Sequence, residues 1–162
     1  MALNFAGATT LTAAGVAVAS LDASGILTNS NTPMVLATQS GTGTAVGSDV
    51  IFNNIGYNVG NCYNATNGRF TASVAGVYHV MWGQLAQNAA SASNFVFGVY
   101  INGTIWLPSY STKQAIKTWN SNSYRTHVYL NAGDYITIRY VSGNQATYTN
   151  AGYAMFSVCL VQ

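Results

Sequence analysis

The chain has 162 residues, 49% of them hydrophobic and only 5% charged, against about a quarter charged in an average soluble protein. Five Lys and Arg against three Asp and Glu give a net charge of +2, and the basic residues are scattered, which argues against a nucleic-acid partner. No apolar run is long enough for a transmembrane helix, so no membrane partner is expected either.

The same numbers set a surface problem. With 3 Trp, 11 Tyr and 6 Phe beside so few charges, a lone copy would be sticky. Part of its surface is therefore expected to be buried against other copies, and the rest covered with Asn, Ser, Thr and Gly.

Residues 1–46 are rich in Ala, Thr, Ser and Gly, with Phe5 as the one aromatic. The stretch from Ser20 to Pro33 reads as a strand, a turn at Ala23-Ser24-Gly25 and a second short strand. It is too small to bury a core alone, so 1–46 is taken as an attachment arm, with 40–47 as its linker. Ala13–Ala19 has a faint signal-peptide look, but no Lys or Arg precedes Arg69, so no secretion signal is expected.

From Val50 onward strand follows strand, and 47–162 is assigned to one domain. Val50–Phe52 begins a strand, and Asn53–Asn67 reads as an exposed Asn-rich loop ending at the Asn67-Gly68 turn. Arg69–Ala72 forms a short strand. Tyr78, Val80 and Trp82 then alternate with Val77, His79 and Met81, so both faces of that strand are apolar. Such a strand is expected to lie between the core and a neighbouring copy.

Phe95–Ile101 and Thr104–Leu107 form a hairpin around Asn102-Gly103, a pair that tolerates positive φ. Residues 108–122 read as a long polar loop. Strands follow at 124–130, at 135–140 after the Ala132-Gly133-Asp134 turn, and at 151–161. No helical periodicity occurs. Many short strands with Gly turns indicate a sandwich or barrel, and about ten of them fit a jelly roll.

The run Phe52 … Asn61 … Tyr63-Asn64 … Gly68-Arg69-Phe70-Thr71-Ala72 … Ala75-Gly76-Val77-Tyr78 resembles the globular head of complement component 1q, whose fold is shared with the tumour-necrosis-factor ligands. Leu130-Asn-Ala-Gly133-Asp134-Tyr135 is similar to a later segment of that family, and Tyr153-Ala-Met-Phe156-Ser-Val158 to its closing strand. Ala75 stands for the usual Pro and Asn64 for the usual Asp. The resemblance implies an all-β, ten-stranded jelly roll that forms a homotrimer around aromatic-rich inner sheets. Tyr78, Val80, Trp82, Tyr140 and Phe156 are the expected trimer contacts. The layout of arm plus head also resembles virion proteins of tailed bacteriophages.

Catalytic chemistry has little to stand on. The carboxylates Asp22, Asp49 and Asp134 are far apart in sequence, so the carboxylate pair of a glycosidase is not expected. Asp134, in a turn, is expected to accept backbone amides. His79 and His127 lie 48 positions apart without a Cys or Asp companion, a poor zinc pattern, and acidic ligands for calcium are too few. No catalytic residue, metal or cofactor is expected. Cys62 and Cys159 are expected to be unpaired. Asn64-Ala65-Thr66 and Asn102-Gly103-Thr104 match the glycosylation pattern by chance in so Asn-rich a chain.

Trp106, Tyr110 and Trp119 flank the polar loop and could pack or contact a partner such as a neutral host-surface glycan. The leading expectation is a homotrimeric, non-enzymatic virion-surface protein assembled in the host cytoplasm. It would be a capsid decoration (cement) or head-fibre protein held by residues 1–46 to the major capsid protein or another virion protein. The alternative is the receptor-binding tip of a tail fibre or baseplate. A polysaccharide-degrading enzyme and a signalling ligand are weaker readings.

Overall fold

The structure, a computed structural model, describes residues 9–13, 16–21, 27–28, 32–41, 43–87, 95–111, 119–143, 146–147 and 152–161. The chain divides into two units, Met1–Thr32 and Pro33–Gln162. The first contains a three-stranded antiparallel sheet of β1 (Thr9–Ala13), β2 (Val16–Leu21) and β3 (Leu27–Thr28), in that order. The pairing Leu21↔Leu27 matches the expected strand–turn–strand. The turn itself, 22–26, lies outside the described residues.

The second unit is all-β, built on two antiparallel sheets. One holds β4 (Met34–Thr38), β5 (Asn54–Val59), β8 (Gly76–Gln87), β11 (Trp119–Leu130) and β14 (Ala154–Val161), ordered β11-β8-β14-β4-β5, with β13 (Ala146–Thr147) beside β8. The other holds β6 (Tyr63–Asn64), β7 (Arg69–Thr71), β9 (Phe95–Ile101), β10 (Thr104–Ser111) and β12 (Tyr135–Ser142), ordered β10-β9-β12-β7-β6. This is the jelly roll expected from the strand spacing.

The division at Thr32 moves the expected boundary at residue 46. Met34–Thr38 looked like arm sequence because it is short and carries no aromatic. Tertiary pairing decides otherwise: Val35 pairs with Val158 and Ala37 with Phe156, and both β4 residues are fully buried. Residues 54–59, expected as loop, form β5 against β4, with Ile55 and Tyr57 exposed. Most of 108–122 is also strand, with 112–118 outside the described residues.

The core lies between the sheets and is built from aromatic contacts. Phe97 stacks on Tyr140 at 4.9 Å, meets Phe95 edge-on at 4.7 Å and Trp82 at 5.0 Å. Phe52 stacks on Phe156 at 5.3 Å, and Tyr63 lies 5.6 Å from the same ring. Edge-to-face and offset geometries let ring edges meet ring faces, adding to the area they bury. Two buried phenols are hydrogen-bonded: Phe52 N donates to Tyr63 Oη at 3.1 Å, and Tyr78 Oη donates to the Val74 carbonyl at 2.7 Å. Burial pushes the Tyr63 phenol up to about 12.

This packing relocates the five residues expected at a trimer contact. Tyr78, Val80, Trp82, Tyr140 and Phe156 are at most 1% exposed inside one chain. They face the opposite sheet of their own protomer and leave no surface for a second copy. Period-2 alternation separates the two faces of β8 but does not say which one faces the core.

Turn chemistry follows the sequence. Asn102 and Gly103 have φ of 51° and 79°, as a tight hairpin with Ile101 opposite Thr104 requires. Asp134 accepts the Asn131 amide at 2.8 Å and the Asn102 side chain at 2.7 Å. Cys62 and Cys159 are free thiols.

Candidate interaction surface

With one face of the six-stranded sheet committed to the core, the other face is what remains of its alternation. It carries Met34 and Leu36 on β4, Val77, His79, Met81 and Leu85 on β8, and Met155, Ser157, Cys159 and Val161 on β14. Arg125, His127 and Tyr129 continue it on β11. All are half-buried or exposed while their neighbours in sequence alternate into the core. Val77 and Val161 are 40% exposed and Tyr129 63%. Arg125 is the one formal charge on this face among the described residues.

Strands about 4.8 Å apart and about eight residues long give this face an area of roughly 600 Å². That approaches the ~800 Å² each partner buries in a standard interface. The opposing sheet turns a more polar side outward. Arg139 lies over the Tyr100 ring at 4.4 Å and Arg69 over Tyr135 at 4.3 Å. Stacking on an aromatic face holds each guanidinium flat on the sheet.

Of the residues expected at a partner-contact loop, Trp106 and Trp119 are exposed. Trp106 is the extra residue of a β-bulge in β10, between Ile105 paired to Tyr100 and Leu107 paired to Val99. The bulge turns Ile105 and Trp106 outward together, 43% and 42% exposed. Trp119 opens β11 and is 43% exposed. Residues 112–118, which join β10 to β11, lie outside the described residues. Tyr110 belongs to β10, and its side chain lies outside the described set.

Shallow clefts also mark the surface, among them one of about 440 Å³ lined by Met81, Ser123, Tyr124 and Arg125. Another, of about 510 Å³, is lined by Asn58, Asn61, Cys62, Asn64 and Thr71 among others; a third, of about 410 Å³, includes Gln39, Thr44, Ser48 and Asp49. Burial pushes the Cys62 thiol up, so it is a poor nucleophile at neutral pH. Among the described residues no three His, Cys, Asp or Glu side chains converge on a metal position.

Residues 34–161 match the family described as "C1q domain". Among solved structures, the globular domain of a zebrafish complement 1qA protein superposes with a TM-score of 0.66 at 17% identity, covering 81% of this chain and 98% of that one. The Eiger TNF of S. frugiperda gives 0.64 at 11% identity, covering 82% and 94%. Murine APRIL gives 0.62 at 12% identity, covering 80% and 98%. No match was found among curated protein sequences. At these identities the structural likeness establishes the fold, and the profile match over most of the chain establishes the family: this chain belongs to the C1q-domain family.

Proposed function

We propose that this chain is a non-enzymatic, self-associating head, held as a homotrimer through the open face of the six-stranded sheet and displayed on the surface of a bacteriophage particle. The carrying observation is that face: nearly uncharged, apolar and large enough for a standard interface. A surface with a single Arg and no carboxylate suits contact with copies of itself better than prolonged exposure to water. Residues 1–32 would supply the attachment to a capsid protein or another virion protein. The separate sheet formed by β1–β3 supports that role, as do the low charge and the arm-plus-head layout. A decoration or head-fibre protein is the reading this layout favours.

Sedimentation of the purified chain tests the first half. A trimer that becomes a monomer of unchanged fold on Val77→Asp with Tyr129→Asp supports the interface, and a monomeric wild type sinks it. Electron microscopy of particles labelled for this chain tests the second half. Tens to hundreds of copies over the capsid support decoration. A handful at the tail favours the other reading, a receptor-binding tip in which the outward indoles Trp106 and Trp119 meet host glycan.

A further inference from the structure

His79 on β8 and His127 on β11 are direct cross-strand partners. Their rings stand 5.0 Å apart between centroids, tilted by 36°. His79 is half-buried and His127 exposed, both on the open face of the six-stranded sheet. Among the described residues neither imidazole makes a hydrogen bond or an ion pair. The two described carboxylates are engaged elsewhere, Asp49 with Arg139 and Asp134 with Asn102 and Asn131. The groups around the pair are Val77 and Met81 on β8, Arg125 and Tyr129 on β11, and Cys159 on β14, opposite His79.

We propose that His79 and His127 chelate a divalent transition-metal ion of the zinc, nickel and copper class. Directly opposed residues hold their Cβ atoms about 4.5–5.5 Å apart, so two imidazoles can aim one nitrogen each at a common point above the sheet. Metal–nitrogen bonds of about 2.0–2.1 Å place those nitrogens within reach of one ion. Imidazole suits these metals, whereas calcium and magnesium require the oxygen ligands this face lacks. Neutral imidazole is the ligating form, and no carboxylate on this face competes for the rings. Cys159 lies one strand beyond His79, on the side away from His127, and no three ligating groups converge here. The chelate is therefore a pair, and the remaining positions of the ion go to water or to donors from a second copy.

Titration calorimetry of the full chain with Zn²⁺ and Ni²⁺, supported by Co²⁺ absorption, tests this. Saturable uptake at neutral pH is expected, with the neutral imidazoles as ligands. His79→Gln and His127→Gln are each expected to abolish it, whereas Cys159→Ser retains it. Gln keeps size and polarity on an open face, and circular dichroism checks that each variant is folded. Absence of saturable uptake by the wild type, or uptake retained by the double His variant, overturns the proposal. Sedimentation of the same samples keeps it separate from self-association: a monomer that binds metal refutes only the trimer, and a trimer that binds none refutes only the chelate.

Discussion

Arg139 donates from Nε to Asp49 Oδ1 at 2.7 Å, joining the chain before Phe52 to the middle of β12. Backbone bonds flank the pair: Val50 N to Ile138 O at 2.7 Å and Tyr140 N to Ser48 O at 3.0 Å. Residues 47–50 thus continue the edge of β12 that β7 leaves after Ile136. The side chains are about a quarter to a third exposed, so the ion pair itself is worth about 1 kcal/mol. Asp49→Asn is expected to lower the melting temperature by about 3–5 °C. Combining it with Arg139→Gln should add little, because both remove one interaction. Additive losses in thermal melts would show the pair to be uncoupled.

Phe97 touches three other rings at centroid distances of 5.0 Å or less. Phe97→Ala is expected to destabilise the domain by about 3–5 kcal/mol, through lost burial and the cavity left behind. Phe97→Leu, which keeps most of the volume, should cost clearly less. Urea unfolding ranks the two, and equal losses would contradict the packing described.

Gly68 has φ of +70°, and a Cβ there would lie 2.7 Å from the Val50 carbonyl oxygen. Gly68→Ala therefore combines left-handed strain with a backbone clash and is expected to cost about 2 kcal/mol or more. Gly133→Ala is the control: its φ is also positive, at +92°, but nothing lies within 4 Å. It should cost less in the same denaturation experiment.

Asp134 is held below the usual carboxylate range, first by the Asn102 side chain and then by the Asn131 amide. A lowered folded pKa means the unfolded chain takes up the proton first as pH falls. The stabilisation is full above the unfolded value, near pH 4, and is lost as pH falls through the folded value. Asp134→Asn is expected to flatten the melting temperature's dependence on pH below about pH 4. An unchanged pH profile in melts of wild type and variant would rule this linkage out.

Much of the fold was legible because local chemistry wrote it. The alternation of Phe95–Ile101 and Tyr135–Tyr140, and the Asn102-Gly103 turn, identify strands and a hairpin without tertiary help. The Arg69-Phe70-Thr71 and Gly133-Asp134 segments carried the family resemblance. β4 and β5 were missed for a physical reason: each is short, and each is made a strand by pairing with residues remote in sequence or with the other.

The candidate surface was legible only in outline. The sequence by itself determined that β8 has two apolar faces and that the chain carries unusually little charge. Only the tertiary structure decided which face is which. Phe97 meets Trp82 from the opposite sheet, so Tyr78, Val80 and Trp82 go inward and Val77, His79 and Met81 turn outward. The same register brings His79 beside His127 across 48 positions of chain. Spacing along a sequence cannot show this, because strand pairing, not chain distance, sets which side chains meet.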